Sequence, residues 1–547
     1  MRQLYGLIKS AVEVYVNGSM KSQNITINIP KHEGHGEFSS NIAYELSHTV
    51  RKPPFEIASD LKTIIEKSAG AINIINSIEV VKPGYLNFVM TELFWIDALD
   101  DIIKIGERYG LNTIGNGKSV LIEFVSANPT GPIHIGHGRG AVVGDVLSRL
   151  FSASGYNVKK EYYINDAGNQ VLSLGYSVLD TYYKINNIDK KIPEGEYKGE
   201  YIEDISKKLE LSIQKTQIDE AHINTITGIA ADSILDGIKQ TLKDFGIEFD
   251  NWFSEKNLFE KGSVDAVIGM LEAKNAIKTE DGAKWFLSTH YGDEKDRVIE
   301  KQSGELTYFA SDIAYHADKY DRGFDLLINV WGADHHGYLP RIKAALNALG
   351  YDAKKLRVMF IQMVKLMRGD VPVQMSKRSG EYITLKELIS EVGTDAARFF
   401  FLLRRHDSQL TFDIELAKKQ SQDNPVYYVQ YAYARISSIF EYAGSKGIDT
   451  ENLVIDRDYR FNEQEKSLIR ACLLYPDIIR DAAVTMEPHK IAHYLLDLVG
   501  LLHKYYTDTR VVSDNVNTIQ RLLLIKMIKV VLRNALGIMG INAPEKM

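Results

Sequence analysis

Two histidines that lie three residues apart, His134 and His137, stand in a loop rich in proline and glycine. An apolar segment typical of a buried strand precedes the loop, and apolar residues at helical spacing follow it. The loop is therefore predicted to deliver both histidines to a helix start, where main-chain N–H groups favour phosphate. Both rings can donate to phosphate oxygens, and Gly136 leaves room for a flat base. This arrangement predicts a nucleotide site.

Metal binding is the main alternative for two histidines at this spacing. No glutamate stands between His134 and His137, and no third ligand lies nearby in the sequence. The single cysteine, Cys472, excludes a multi-cysteine zinc site and an internal disulfide, and it is interpreted as a small buried apolar residue. We therefore predict no protein metal site.

Two acidic residues occupy positions that need an explanation. Glu123 interrupts the apolar run 120–125, where a carboxylate is costly unless a cation pairs with it. Asp312 follows Tyr308 by four residues in a segment predicted as a helix, so both side chains share one helix face. The alternatives to a binding role are an internal salt bridge for Glu123 and a solvent-facing position for Asp312.

The elements around these residues predict an α/β doubly wound, Rossmann-like catalytic domain at 113–380. Its predicted strands and helices lie at 120–125, about 142–155, 158–164, 325–331, 339–349 and 358–363. The first three form a βαβ unit, and the alternation of strands and helices resumes with the fourth. The segment between them, about 171–300, is polar and helical, and we interpret it as an insertion.

The remaining chain predicts two further domains and a connection. With 547 residues the chain exceeds one hydrophobic core, which favours three or four domains. The segment 1–112 mixes helical spacing with an alternating pattern at 25–29 and predicts a small α+β domain. The pattern after the catalytic domain is helical, which predicts a connecting region at 381–423 and an all-α domain at 424–547.

Composition excludes several classes of protein. Hydrophobic residues at 45% and charged residues at 25% are typical of a soluble folded protein. No secretory signal is evident, and the apolar stretch 522–539 carries three basic residues, so we predict no membrane segment and a cytoplasmic location. The net charge of −7 argues against DNA binding by the whole chain, and any nucleic-acid surface must be local.

The segment from Ser126 to Gly138 resembles a family signature. Its tetrapeptide His-Ile-Gly-His, at 134–137, is similar to the HIGH motif of class I aminoacyl-tRNA synthetases, and the longer string resembles the version in arginyl-tRNA synthetases. The segments 36–41 and 82–88 also resemble the N-terminal domain of that family, which implies contact with the outer corner of tRNA.

The second class I signature, Lys-Met-Ser-Lys-Ser, has a counterpart at 374–380. Gln374 replaces its first lysine and Arg378 its final serine, while Lys377 keeps the second lysine. A mobile cation there can meet the negative charge that accumulates on the triphosphate as pyrophosphate leaves. Without the histidine loop, the same residues would be interpreted as a surface turn.

The resemblance implies the residues that bind each substrate. For ATP and the Mg²⁺ that it carries, these are His134, Gly136, His137, Gly332, Asp334, Met375, Ser376 and Lys377, of which His134, His137 and Lys377 are catalytic. For arginine they are Glu123, Asn128, Tyr308 and Asp312. The acids would face the guanidinium, whose planar donors suit carboxylates, and Asn128 would face the α-amino and carboxyl end.

The tyrosine-rich segment 424–435 resembles the entry to an anticodon-binding domain. Tyr431, Tyr433 and Arg435 suit stacking on unpaired bases of tRNA(Arg). The alternative for some of these tyrosines is a place in the core of a helix pair.

The activity implied by the resemblance is that of a monomeric arginine–tRNA ligase, which activates L-arginine with ATP and transfers it to the terminal ribose of tRNA(Arg). One alternative is another class I synthetase, but a single cysteine cannot build the zinc site of the cysteinyl enzymes, and other specificities do not explain Glu123 with Asp312. The helical C-terminal domain argues against a second alternative, a small-molecule adenylyltransferase. The presence of both histidines and Lys377 argues against a non-catalytic tRNA-binding protein.

Replacement of Lys377 by alanine tests the second signature. We expect Lys377→Ala to slow arginyl-adenylate formation about a hundredfold, because one transition-state donor of this kind contributes ~3 kcal/mol. Single-turnover adenylate formation with tRNA present measures the effect, and Gln374→Lys, for which we expect little change, serves as a comparison in the same loop. A rate near that of the wild type would remove the loop from the mechanism.

Overall fold

The computed structural model describes residues 1–16, 25–30, 34–373, 383–513 and 517–547. The second signature segment lies outside these ranges, and with it Gln374, Met375, Ser376, Lys377 and Arg378. None of the helices within these ranges combines the length and apolar character that a membrane-spanning helix needs.

The N-terminal part is a small α+β unit, as predicted. Its elements are α1 (Arg2–Tyr15), β1 (Phe38–Ser40), α2 (Ile42–Val50), α3 (Pro54–Glu66), α4 (Ala71–Ile74), β2 (Ile75–Val81), β3 (Tyr85–Met90) and α5 (Glu92–Ile105). The strands form an antiparallel sheet in the order β1-β3-β2. The alternating pattern at 25–29 does not give a strand: its pairing in the described range is one isolated bridge between Asn28 and Ser39, in the short strand β1.

The central part is built on a five-stranded parallel sheet. Its elements are β4 (Ser119–Glu123), α6 (Ile135–Ala153), β5 (Asn157–Ile164), α7 (Asn169–Ile185), α8 (Glu200–Ser212), α9 (Ile223–Asp244), β6 (Asn251–Ser254), α10 (Lys256–Glu260), α11 (Ser263–Ala273), β7 (Ile277–Glu280), β8 (Ala283–Phe286), β9 (Arg297–Glu300), α12 (Tyr308–Asp321), β10 (Leu326–Gly332), α13 (Leu339–Leu349) and β11 (Leu356–Ile361). The strand order is β11-β10-β4-β5-β6.

Helices cover both faces of this sheet, which confirms the doubly wound prediction. Val120 and Ile122 of β4 belong to one apolar core, shared with α6 and the C-terminal helices. Leu121, between them, belongs to a second core, formed mainly with α11, α12 and α13. Both faces are apolar because successive strand residues point to opposite sides and each side packs against helices.

The predicted insertion at 171–300 is not one unit. The helices α7, α8 and α9 agree with the polar helical pattern, but β6 then pairs in parallel with β5 and becomes an edge strand of the main sheet. A separate antiparallel sheet in the order β7-β8-β9 follows. The strand β6 escaped prediction because it is four residues long and lacks a continuous apolar run.

The C-terminal part is mainly helical, as predicted. Its elements are β12 (Val364–Arg368), β13 (Val371–Pro372), α14 (Leu385–Val392), α15 (Thr394–Phe401), β14 (Leu410–Asp413), α16 (Ile414–Lys418), α17 (Pro425–Ser445), α18 (Glu463–Thr485), α19 (His489–Asp508) and α20 (Thr518–Met539). The connecting region at 381–423 is not purely helical, because β14 pairs with β12 in a small sheet that includes β13. Cys472 is buried in α18, as expected of a small apolar residue.

A buried arginine joins the central and C-terminal parts. Arg398 of α15 contacts Asp145 of α6 at 2.5 Å, and it donates to the carbonyl oxygens of Met539 at 2.9 Å and Phe245 at 3.0 Å. Both charged side chains are fully buried. Gly540, with φ of +66°, leaves space for the guanidinium, since a Cβ there would lie 2.3 Å from Arg398 Nη2. The joint holds α6 against the end of α20.

Loss of Arg398 should destabilise the protein more than loss of an exposed arginine. We expect Arg398→Met to lower the free energy of unfolding by on the order of 3 kcal/mol, because it leaves the Asp145 carboxylate buried without its main partner. Arg368→Met is the matched control, since Arg368 pairs with Glu391 at 2.6 and 2.9 Å on the surface. Thermal unfolding of both variants checks the prediction, and an equal fall in their midpoints would contradict it.

Candidate active site

Glu123, the last residue of β4, is buried against α12. Its Oε2 lies 2.5 Å from Lys319 Nζ, and Ser126 donates to its Oε1 at 2.9 Å. Lys319 also donates at 2.9 Å to Oδ1 of Asn329, the neighbour of Glu123 in β10. The Glu123 and Lys319 side chains are 7% and 1% exposed. The cation that the sequence required for Glu123 is therefore Lys319, and a role of Glu123 toward substrate stays a prediction.

A second buried carboxylate lies beside the first in the sheet. Glu161 of β5 is the register partner of Glu123 and pairs at 2.6 and 2.9 Å with Arg322, the C-cap residue of α12. Tyr315 donates to it at 2.8 Å. Burial alone would raise the pKa of Glu161, but hydrogen bonds from Arg322 and nearby positive charges lower it. Two ion pairs thus attach α12 to the carboxyl ends of adjacent strands.

Asp312 lies on the same helix, seven residues before Lys319, and is half-buried. Its Oδ2 accepts a hydrogen bond from the Tyr338 hydroxyl. Burial, together with the charges of Glu255 and Glu123, raises the pKa of Asp312 to about 7, against the hydrogen bond from Tyr338 and the charge of Lys319. The solvent-facing alternative for Asp312 does not fit this position.

Glu255 is a third carboxyl group of this pocket, and the sequence did not point to it. The residue follows β6 directly and is 2% exposed. Burial raises its pKa, against hydrogen bonds from Ser311 and Tyr163. Since its charge also acts on Asp312, the two carboxyl groups are close neighbours.

The other two predicted arginine contacts lie at the rim. Tyr308 is the first residue of α12, is 50% exposed and lies near Gly168, where an added Cβ would be 3.4 Å from its hydroxyl. Asn128 Nδ2 donates to Gln170 Oε1 at 2.5 Å, which fixes the amide against the start of α7. Glu123 and Asn128 therefore lie on β4 and the loop that follows it, and Tyr308 and Asp312 lie on α12. That the four side chains bind arginine together stays a prediction.

The signature histidines form the start of α6, as predicted. His134 is the N-cap residue: its Nδ1 accepts from Gly136 N at 3.1 Å, and His137 Nδ1 accepts from His134 N at 3.3 Å. The ring centroids lie 4.0 Å apart. Because both Nδ1 atoms accept, the neutral rings carry their proton on Nε2, as a donor. Gly136 is required here, since a Cβ would come within 2.9 Å of the His134 ring.

The main chain between Glu123 and this loop is strained. Val125 and Ser126 have φ values of +71° and +43°, which residues other than glycine rarely adopt. The turn brings the Ser126 hydroxyl back to Glu123, and the same oxygen accepts from Tyr163 N at 3.2 Å. Strain of this kind persists where surrounding contacts over-determine it, which is common at functional sites.

The segment that follows the second signature is hydrogen-bonded to the histidine loop. Thr384 forms a main-chain bridge with His134, and Leu385 N donates to Ile133 O at 2.8 Å. Thr384 also begins α14 through a capping box with Glu387. The described end of the second loop is therefore anchored beside the first.

The predicted nucleotide loop after β10 also lies at the carboxyl edge of the sheet. Gly332 ends β10, which is adjacent to β4, and Asp334 is exposed just beyond it. His336 stacks on Phe360 with centroids 3.7 Å apart, which gives it a structural role. Among the described residues, no group of three His, Cys, Asp or Glu side chains converges as a metal site.

The three predicted tRNA residues divide into two sets on α17. Arg435 is exposed, with its guanidinium carbon 4.8 Å from the centre of the Tyr506 ring, and Tyr431 stacks on Tyr427 at 6.1 Å. Tyr433 is only 3% exposed and donates to Glu545 at 3.2 Å. The prediction that Tyr433 stacks on an RNA base is therefore wrong, because its ring is part of the core.

Comparison with known proteins agrees with this architecture along the whole chain. Residues 99–414 match the model of the class I (R) tRNA synthetase catalytic domain, 3–90 match the arginyl tRNA synthetase N-terminal domain, and 429–547 match the DALR anticodon binding domain. The chain belongs to the arginyl-tRNA synthetases. It is therefore a class I enzyme of the aminoacyl-tRNA synthetase type, in which ATP binding is a family property.

Individual arginyl-tRNA synthetases are similar over their full length. An arginine–tRNA ligase of Citrifermentans bemidjiense is 46% identical with complete coverage of both chains, and one of Oceanobacillus iheyensis is 44% identical, covering 96% of this chain and 94% of its own. A solved arginyl-tRNA synthetase structure from Campylobacter jejuni has a TM-score of 0.78 at 36% identity, covering 84% of this chain and 100% of that one. The Thermus thermophilus enzyme, at 20% identity and a TM-score of 0.76 with complete coverage of both, shares the fold.

The pH dependence of arginine binding follows from Asp312. With a pKa of about 7, this carboxyl group is largely protonated below pH 7, where it carries no negative charge and keeps only part of its capacity to accept from a guanidinium. For this arginyl-tRNA synthetase we expect kcat/KM for arginine to fall by up to about tenfold per pH unit below about pH 7 and to level off above it.

Initial rates of tRNA charging at limiting arginine, between about pH 5.5 and pH 8.5, measure this fall of kcat/KM toward low pH, which is the acid limb of the pH profile. The Asp312→Asn variant is the control, since it lacks the titrating group and should lose the limb. An acid limb that survives in Asp312→Asn would assign it to another group.

Proposed function

We propose that L-arginine is activated in the pocket between α12 and the carboxyl ends of β4 and β5. The observation that carries this proposal is a group of three carboxyl groups: the charges of Glu123 and Glu255 both act on Asp312, and the buried ammonium of Lys319 pairs with Glu123. A guanidinium supplies the positive charge and the planar donors that such a pocket needs. Asn128 and Tyr308, at the rim, would contact the remainder of the amino acid.

We infer that ATP binds at the adjacent carboxyl edge of the sheet. His134 and His137 would donate from Nε2 to phosphate oxygens at the start of α6, where the main-chain N–H groups also favour an anion. The Mg²⁺ that accompanies ATP neutralises part of the triphosphate charge. Gly136 and Gly332 would allow the nucleotide to approach the main chain, and Asp334 would accept from ribose hydroxyls. Met375, Ser376 and Lys377 complete the proposed set from outside the described ranges.

The proposed reaction needs no protein nucleophile. The arginine carboxylate attacks the α-phosphorus of ATP, the bond to the β-phosphate breaks, and arginyl-adenylate and pyrophosphate form. A hydroxyl of the terminal ribose of tRNA(Arg) then attacks the arginyl carbonyl carbon, and AMP leaves as the hydroxyl proton is released. The protein contributes position and charge stabilisation, chiefly through His134, His137 and Lys377.

We propose that tRNA(Arg) contacts α17 through Tyr431 and Arg435, whose planes suit stacking on unpaired bases. The proposed domains are 1–112 for contact with the outer corner of tRNA, 113–380 for catalysis, 381–423 as the connection and 424–547 for the anticodon. We further propose a monomer in the cytoplasm, a reducing compartment that suits the single buried cysteine.

Charging of tRNA is the direct test of this function. The purified protein is incubated with total tRNA, ATP and each labelled amino acid in turn, and acid-precipitable label is counted. We expect label from arginine, and label from a different amino acid would contradict the proposal. A protein inactive with all of them, but able to bind tRNA, would instead be a non-catalytic relative.

Asp312→Asn tests the arginine pocket. The amide keeps the shape of the side chain but turns donors toward a guanidinium that offers only donors, so we expect a penalty of roughly 2–4 kcal/mol. The KM for arginine should rise by a factor on the order of thirty or more, while the KM for ATP changes little. Steady-state charging measures both, and unchanged values for both substrates would place the pocket elsewhere.

A further inference from the structure

We propose that Lys319 is a positioning residue of the arginine pocket, which acts through Glu123 by holding its carboxylate in place for the substrate. The inference rests on the proposed function and adds to it a residue that need not touch arginine. It starts from the ion pair between the two side chains, whose shortest distance is 2.5 Å.

The contacts of Lys319 occupy its ammonium group. Nζ contacts Glu123 Oε2 and donates to Asn329 Oδ1 at 2.9 Å, and it lies 4.2 Å from the centre of the Tyr315 ring. An ammonium has three N–H bonds, and a ring face also stabilises its charge. These contacts direct Lys319 toward the protein rather than toward a ligand, so we assign it to positioning.

The contacts of Asn329 allow only one arrangement of donors and acceptors in the hydrogen-bond network around Lys319. Asn329 Nδ2 lies 2.9 Å from His316 Nε2, and His316 Nδ1 lies 2.7 Å from the main-chain oxygen of Asp312. Burial lowers the pKa of His316 to about 3, so its ring is neutral. Its Nδ1–H must then donate to the carbonyl, and its Nε2 must accept from Asn329. This leaves Oδ1 of Asn329 to Lys319.

The network therefore links both predicted acids of the pocket. One end is the Glu123 carboxylate in the sheet, and the other is the turn of α12 that carries Asp312. A change at Lys319 alters the direction in which Glu123 points and the charge that surrounds Asp312. Both effects should appear in the use of arginine and not in the use of ATP.

The charge around Asp312 gives a second, independent signature. The titratable and charged groups that act on its carboxyl group are Glu123 from β4, Tyr163 from β5, Glu255 after β6, Lys319 from α12 and Tyr338 beyond β10. His316 contacts the main-chain oxygen of Asp312, and Arg341 acts on Tyr338. Lys319 lowers the pKa of Asp312, whereas Glu123 and Glu255 raise it. Removal of the ammonium should therefore raise this pKa above about 7.

Arg322 provides a matched control on the same helix. It forms the neighbouring ion pair with Glu161, at 2.6 Å, and a second with Asp318 at 2.9 Å, and neither carboxylate belongs to the proposed arginine pocket. Replacement of either cation by methionine leaves a buried carboxylate without its partner, and so destabilises the protein. Only the replacement at Lys319 removes a charge from the arginine pocket.

The experiment compares Lys319→Met, Lys319→Arg and Arg322→Met with the wild type in tRNA charging, with KM for arginine and for ATP and the pH profile at limiting arginine. Wild-type charging of arginine is required first, so failure of the proposed function is seen separately. We expect Lys319→Met to raise the KM for arginine on the order of tenfold and to move the acid limb to higher pH, with an unchanged KM for ATP. Lys319→Arg should restore most of both properties.

The control and a double variant decide how the effect arises. Arg322→Met should lower the thermal midpoint but leave the arginine KM and the acid limb unchanged. Lys319→Met in a Glu123→Gln background, which leaves no buried charge unpaired, should change the arginine KM less than twofold relative to Glu123→Gln alone when both are measured at a pH above their acid limbs. The proposal is overturned if folded Lys319→Met matches the wild type, if Arg322→Met shifts the acid limb equally, or if the double variant loses a further tenfold.

Discussion

Two carboxylates, Glu123 and Glu161, lie side by side in the central sheet, and neither can be buried without a cation. The helix α12 and its C-cap residue supply both cations. Lys319 and Arg322 are three residues apart, so their Cβ atoms lie about 5–6 Å from each other on one helix face. Neighbouring strands are about 4.8 Å apart, which matches that spacing. An unpaired buried charge destabilises by roughly 3–5 kcal/mol, so the two pairs fix the register of α12 on the sheet. The position of Asp312, two turns earlier, follows from that register.

The helix α6, which begins with the signature histidines, is also held in place by buried charged side chains, and the first of these is Arg139. Arg139 of α6 is buried and donates to the carbonyl oxygens of Gln362 at 2.9 Å, Ser408 at 2.8 Å and Arg405 at 2.8 Å. Burial lowers its pKa to about 10, which leaves it charged at neutral pH. Further along α6, Asp145 receives Arg398. The start of α6, where the nucleotide is proposed to bind, is thereby placed by buried charges and not by apolar packing alone.

The sequence predicted the parts of this architecture that have long, periodic patterns. The parallel strands, α6, α13 and the C-terminal helices follow from apolar runs or helical spacing, whereas β6 and β14 are four residues long and carry too little pattern. Tyr433 was predictable in principle: Tyr431 and Arg435 are four apart and share a face of α17, while a residue midway between them points the other way. Lys319 lies seven residues after Asp312, two helical turns on, but its partner in β4 is set by tertiary packing. Glu255 gave no signal, because nothing local distinguishes it from a surface acid.

Burial raises the pKa of Asp312, and the charges of Glu255 and Glu123 add to that effect, so a negative charge at this position is unfavourable in the free protein. In the proposed pocket the guanidinium of arginine would place a positive charge beside it and so offset that unfavourable interaction. An uncharged analogue would leave that interaction in place and would also leave carboxylates without hydrogen-bond donors. Buried polar groups discriminate most strongly against a ligand that leaves them without partners. Lysine offers a point charge rather than a planar fork and cannot donate to two carboxyl groups in the same geometry. The chemistry of the proposed pocket would therefore allow selectivity by binding alone, without a separate hydrolytic domain to remove wrong products.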